Sequence, residues 1–251
     1  MTLLRALEAL VGVIPFCIAL LLGARKNFGT SLGTKGSEFL SAAAGAAVAY
    51  AFVHILPVLE RTRFLLLREV PDRSLPLDGL GVYLFAMAGF VGFYGVDQAL
   101  FRPRNGRHGD GHDRSASRLT RGLHLSGVGV YVGLLAYFLV RGTERTASGM
   151  ALYAGAMALH LLSLSHTLRK QHGDAYERAG VRILAGCVLV GWVCGVLWAI
   201  PHLPMLPLIA LVAGAILASA MVTELSEAQG GHFLLFAGSA AAYAGLLLVA
   251  H

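Results

Sequence analysis

"GAAVAYAFVHILPVLE", residues 45–60, is an apolar helix-forming stretch that contains one histidine, His54, and ends with Pro57 and Glu60. Alanine, valine and phenylalanine side chains surround the imidazole in the sequence, so water is not its obvious partner. A lone polar group in an apolar solvent is costly unless it is paired. The stretch therefore predicts a histidine that is hydrogen-bonded to a neighbouring helix, or one that acts as a ligand or proton carrier.

The composition of the whole chain is that of a polytopic membrane protein. Of its 251 residues 56% are hydrophobic and only 14% are charged, against about a quarter charged in soluble domains. The mean hydropathy is +0.67. We interpret the formal net charge of +6 as a topology signal, and we expect no nucleic-acid partner and no enzymatic activity. The composition predicts a single integral membrane domain over residues 1–251.

Long apolar runs in the sequence predict membrane-spanning helices. A helix that crosses a bilayer needs about 20 mostly apolar residues, and eight segments meet that requirement. The fold class is therefore predicted to be all-α, an eight-transmembrane-helix bundle. The predicted spans are residues 3–23, 38–59, 79–101, 122–140, 148–168, 181–200, 204–224 and 232–250.

Charged residues between the spans predict the orientation. Thirteen of the twenty lysines and arginines lie in the loops that follow spans one, three and five, and basic residues concentrate on the cytoplasmic side. We therefore predict a multi-pass protein of the cell membrane with both termini outside. The polar stretch 101–121 is predicted to be a flexible cytoplasmic loop. The stretch 61–70, too short to span, is predicted to lie along the membrane interface.

Ionisable residues inside predicted spans are rare and costly, and function is their default hypothesis. Six side chains qualify, of which Asp97 most simply pairs with Arg102 or Arg104. His124 and His166 stand beside basic residues and could face lipid headgroups instead. The six are His54, Asp97, His124, His160, His166 and Glu224.

The surroundings of His54 add two local expectations. Tyr50, one turn before it, lies on the same helix face. Pro57, one turn after it, has no N–H and clashes with the turn at Val53, so the backbone should be opened or kinked there.

Four features together resemble the ZIP family of divalent metal transporters. The chain has eight predicted spans with both ends outside, and a histidine-bearing loop follows span three. Span two ends "FVHILPVLE", close to the family's His-x-Leu-Pro-x-x-Glu ending, and span seven ends in the acidic "MVTELSE". The family's leading histidines in spans four and five are matched in "LHLSGVGV" (123–130) and "LHLLSLSH" (159–166). Leucine or valine stands where the family has asparagine and carboxylates.

The resemblance implies a permease for a divalent transition metal of the zinc or iron class, passive or ion-coupled. The ion would be the transported substrate, with no resident cofactor, and its ligands would be His54, His124, His160, His166 and Glu224. The expected partners are the lipid bilayer and the divalent ion. A homodimer is a further expectation that stays open. Two alternatives stay open: a non-transporting ZIP-like sensor, lipid-binding or assembly protein, and a zinc-dependent intramembrane hydrolase.

Overall fold

The computed structural model describes residues 3–26, 34–69, 80–101, 112–142, 146–226 and 232–250, and helices are the regular elements of these ranges. The α-helices are α1 Leu3–Gly23, α2 Thr34–Tyr50, α3 Leu56–Glu69, α4 Gly81–Phe101, α5 His112–Arg141, α6 Ala147–His172, α7 Val181–Leu197, α8 His202–Ser226 and α9 Phe233–Ala250. Two π-helical turns, Ala51–Ile55 and Tyr176–Gly180, join α2 to α3 and lead into α7. The described residues thus form eight continuous helical rods.

Five of these rods contain a helix long and apolar enough to cross a membrane. In the described part of the chain these are Gly36–Arg61, His124–Arg141, Ala147–His172, Tyr176–Leu197 and Pro204–Met221. The apolar parts of α1, α4 and α9 are shorter, at 10–17 residues each. The predicted all-helical fold is confirmed for the described residues, and their long apolar helices are those of a helical membrane protein. The number of spans stays a prediction.

Two helices extend further than the sequence predicted. Helix α5 begins at His112, so the second half of the predicted loop 101–121 is helical. The side of the membrane on which this segment lies stays a prediction. Helix α3 runs through residues 61–69 with no break, where a separate interfacial stretch was expected. Both extensions lack proline and glycine and contain arginine and leucine, which favour helix even in polar segments.

The backbone opens at His54, as the position of Pro57 predicts. Residues Ala51–Ile55 form a π-helical turn, and the N–H of Leu56 donates to the carbonyl oxygen of Ala51, five residues earlier. Pro57 has no N–H to donate to Val53, so the wider turn relieves the clash that a regular helix would suffer. The predicted opening is confirmed.

The helices associate as four pairs, each of one outer and one inner helix. The outer helices α1, α4, α7 and α9 lie against α6, α8, α5 and α2, respectively. The outer helices expose large apolar side chains away from the bundle, including Val11, Ile14, Leu84, Met87, Ile183, Val190, Leu234 and Leu248. The inner helix α6 contacts the other three inner helices, α2, α5 and α8.

Glycines at the contact points let the paired backbones approach closely. A Cβ on Gly191 of α7 would collide with the backbone of Gly133 on α5, and a Cβ on Gly89 of α4 would collide with the backbone of Leu211 on α8. The other two pairs have the same close approach. Gly23 of α1 lies against the backbone of Leu162 on α6, and Gly45 of α2 lies against the backbone of Phe236 on α9. Small residues serve this purpose in helix pairs that lipid surrounds.

We predict that Gly191→Ala lowers the stability of the folded protein far more than Gly186→Ala. The methyl group at position 191 has no room against Gly133, whereas a Cβ at position 186 of the same helix meets nothing within 4 Å. Overpacking of this kind costs about 1–3 kcal/mol, and the two variants carry the same change in helix propensity. Thermal unfolding in detergent measures the difference. Equal melting temperatures for the two variants would contradict the close approach of α5 and α7.

Candidate functional site

Buried serine and histidine side chains lie on the inner helices of the described structure. They belong to the α2–α3 rod, α5, α6 and α8, and the buried hydroxyl of Tyr176, in the turn before α7, contacts one of them, Ser165, at 2.9 Å. Because lipid offers no hydrogen-bond partner, such groups are stable where other helices enclose them. The set is Ser41, His54, His124, His160, Ser163, Ser165, His166, His172 and Ser219. We call it the polar core.

His160 lies at the meeting point of three inner helices. Its Nε2 atom is 2.6 Å from the hydroxyl oxygen of Tyr131 on α5 and 3.3 Å from that of Ser219 on α8. Tyr131 meets the imidazole edge-on, with ring centroids 5.9 Å apart. Ser219 also donates to the carbonyl oxygen of Ile216, at 3.2 Å. The imidazole of α6 thus joins α5 and α8 through two hydroxyl groups.

His54 belongs to a second, aromatic part of the polar core. Its ring stacks on Tyr50 at 4.9 Å, as the shared helix face predicts, and Tyr50 meets Tyr153 of α6 edge-on at 5.6 Å. Tyr153 donates to the carbonyl oxygen of Leu135 on α5, at 2.8 Å. These three rings line one side of a cavity of about 40 Å³, which is room for one or two water molecules. The π-helical turn therefore presents His54 to this cavity.

A third part of the polar core is a histidine pair. Nδ1 of His124 on α5 is 3.1 Å from Nε2 of His172 in the last turn of α6, and the ring centroids are 5.2 Å apart. Both imidazoles are buried, at 4% and 9% exposure. His124 also lines a cavity of about 230 Å³ between α4, α5 and α8, and Tyr131 lines the same cavity.

Sequence reasoning missed His172 as a partner because it ended span five at residue 168. The glycine at position 173 was the signal in the sequence that the helix continues to His172. In the structure Gly173 has a positive φ of 64° and ends α6 directly after His172. Glycine in this position is the common way to end a helix. Tyr131 and Ser219, the partners of His160, have neutral hydroxyls and gave no signal in the sequence.

The predicted metal ligands each contact different partners. His54 stacks on Tyr50, His160 contacts two hydroxyls, His124 pairs with His172, and His166 is buried further along α6. The side chain of Glu224 lies outside the described residues, as does that of Asp97. Within the described part of the chain, no group of three or more His, Cys, Asp and Glu side chains is placed to hold one metal ion.

Glu60, which ends the opening stretch, is engaged by its neighbours. Arg63 donates to both of its carboxylate oxygens, at 2.7 Å and 3.0 Å, and the hydroxyl of Tyr83 on α4 donates to it as well. A bidentate arginine holds a carboxylate in a fixed orientation. Glu60 thus ties α3 to the start of α4.

The polar core offers imidazole nitrogen and hydroxyl oxygen atoms. Imidazole nitrogen is a ligand for zinc, copper, iron and nickel, and it can also accept or donate a proton. Hydroxyl groups can relay hydrogen bonds but add no negative charge. No family model, no curated protein and no solved structure matches this chain.

Proposed function

We propose that the protein is a ZIP-like membrane permease for a divalent transition metal of the zinc or iron class. The observation that carries this proposal is that the buried histidines and serines of the described structure all lie on the four inner helices. A permease needs a polar interior shielded from lipid by apolar helices. The sequence contains no Walker-type ATP-binding motif, so movement would be passive or ion-coupled.

The proposed route follows the three parts of the polar core. An ion would reach His54 at the π-helical turn, pass His160 in the middle of the bundle and leave past the His124–His172 pair, with His166 and Glu224 as further ligands. Each imidazole would replace part of the hydration shell of the ion. Since imidazole brings no negative charge, binding along the route would be weak, which suits an ion that must also leave.

The orientation belongs to the same proposal. Eight spans with both termini outside would place the segment 101–121 in the cytoplasm, and the distribution of lysine and arginine supports this arrangement. A homodimer is compatible with it.

A non-transporting ZIP-like protein is the second candidate. The observation in its favour is that Nε2 of His160 already has two hydroxyl partners, Tyr131 and Ser219. In this reading the polar core is a hydrogen-bonded scaffold. Zinc-dependent uptake by the wild-type protein in liposomes separates the two candidates, because a scaffold would conduct nothing.

We predict that His160→Gln and His54→Gln each reduce zinc flux into proteoliposomes about tenfold or more. A glutamine oxygen can still accept the hydrogen bond of Tyr131, so folding should be kept, whereas an amide is a poor ligand for a transition metal. Flux is measured with a zinc-sensitive dye inside the liposomes. His232→Gln is the matched control, because His232 is half-buried at the start of α9 and outside the polar core. Wild-type flux in both core variants would refute the proposed route.

The orientation predicts that a cysteine at position 115, introduced as Ser115→Cys, is not labelled from outside intact cells. An impermeant maleimide should react only after the membrane is permeabilised, since residue 115 would lie on the cytoplasmic side. Native Cys17, Cys187 and Cys194 set the background, measured with the unmodified protein. Strong labelling of intact cells would reverse the orientation.

A further inference from the structure

We propose that the cavity between α4, α5 and α8 binds an acyl chain of an anionic phospholipid, which enters from the surrounding bilayer. This is the cavity of about 230 Å³ that His124 and Tyr131 line. The inference goes beyond the proposed permease, because a lipid can occupy the cavity whether or not the protein conducts an ion.

The walls of the cavity favour hydrocarbon over water. Apart from His124 and Tyr131, they consist of glycine, alanine, valine, leucine and phenylalanine residues. Both polar side chains already have a partner outside the lining, since His124 contacts His172 and Tyr131 contacts His160. Buried water needs polar partners, whereas an apolar cavity of about 150 Å³ stays dry and takes up benzene. In the same ratio, the larger cavity of this protein has room for about nine carbon atoms of a chain.

The cavity opens sideways, toward lipid. Ala88 and Gly92 of α4 and Gly127 and Val130 of α5 are exposed lining residues, so the gap between the two helices reaches the surface of the bundle. A Cβ on Gly92 or Gly127 would meet nothing within 4 Å. Deeper in the cavity, the lining residue Tyr131 is buried. A chain can therefore enter from the bilayer without leaving an apolar environment.

The length of the cavity matches one leaflet of a bilayer. Along α5 the lining runs from His124 to Leu134, a rise of about 15 Å at about 1.5 Å per residue. The hydrocarbon core of a bilayer is about 30 Å thick, so the lining covers about half of it. His124 is also the first residue of the apolar span His124–Arg141. An acyl chain that lies along α5 would thus have its headgroup beside the turns that precede His124.

The charge of those turns indicates the headgroup. Arg114, Arg118 and Arg121 lie within about three turns of His124 on α5, and Asp113 is the one acidic residue in the sequence of the same stretch, 112–123. Basic residues next to a membrane span attract anionic lipids. The end of α5 at which the cavity begins therefore complements a phosphate headgroup that carries no compensating positive charge, such as that of phosphatidylglycerol.

The test is photolabelling of the purified full-length protein in detergent, with phosphatidylglycerol that carries a diazirine on one acyl chain and with no metal added. The label should map to the cavity walls on α4, α5 and α8. Gly127→Leu places a side chain in the cavity and should abolish this labelling. Gly238→Leu is the matched control, because Gly238 on the outer helix α9 is also exposed and has open space around an added Cβ. It should be labelled as the wild type is.

The headgroup is tested by competition against the same photolabel. Unlabelled phosphatidylglycerol should displace the label at a concentration about tenfold or more below that of phosphatidylcholine, and Arg118→Gln/Arg121→Gln should remove this difference. Arg25→Gln/Lys26→Gln is the control pair, since both residues are exposed and basic and follow α1. This pair should keep the preference of the wild type.

Equal labelling of the cavity walls in Gly127→Leu and Gly238→Leu would overturn the proposal, as would phosphatidylcholine that competes as well as phosphatidylglycerol. A label spread over all outer helices, with no excess on the cavity walls, would do the same. Size-exclusion profiles and melting temperatures confirm that the variants fold, and Gly92→Leu fills the cavity from α4 if Gly127→Leu does not fold. Zinc flux plays no part in these measurements, so the lipid site and the permease can fail separately.

Discussion

A buried imidazole in a lipid-surrounded bundle needs partners among the packed side chains, and this constraint organises the structure. His54 stacks on Tyr50 of its own rod, which meets Tyr153 of α6 edge-on. His160 contacts hydroxyls of α5 and α8, and His124 pairs with His172 of α6. Each arrangement depends on at least two inner helices in a fixed register. The outer helices separate these contacts from lipid.

The polar contacts and the glycine contacts depend on each other. Hydrogen bonds act over about 3 Å, so the inner helices must be held in place laterally. The outer helices do this because their backbones approach the inner ones closely at Gly23, Gly45, Gly89 and Gly191. Arg141, at the end of α5, adds a polar tie by donating to the carbonyl oxygens of Gly195 and Val196, which end α7. These carbonyls would otherwise have no partner within the helix.

Much of the helix layout was predictable from the sequence, because apolar runs, proline and charge act locally. The opening at His54 followed from Pro57 alone. The partners of His160 were not predictable, since Tyr131 and Ser219 are reached only through the rotation and register of α5 and α8. Gly92 and Gly95 illustrate the same limit: they share the spacing of Gly89 but meet no neighbour. Spacing defines a face of a helix, whereas packing decides which part of it is used.

The pairing of α2 with α9 has a consequence for how the protein is made. Gly45 of α2 lies against the backbone of Phe236, nearly two hundred residues later in the chain, and Ser41 accepts a hydrogen bond from the backbone N–H of His232. During synthesis the N-terminal part of a chain emerges first. Helix α2 must therefore wait in the membrane or the insertion machinery, with its glycine and serine face uncovered, until α9 is made. Truncation before α9 would leave this polar helix without its cover.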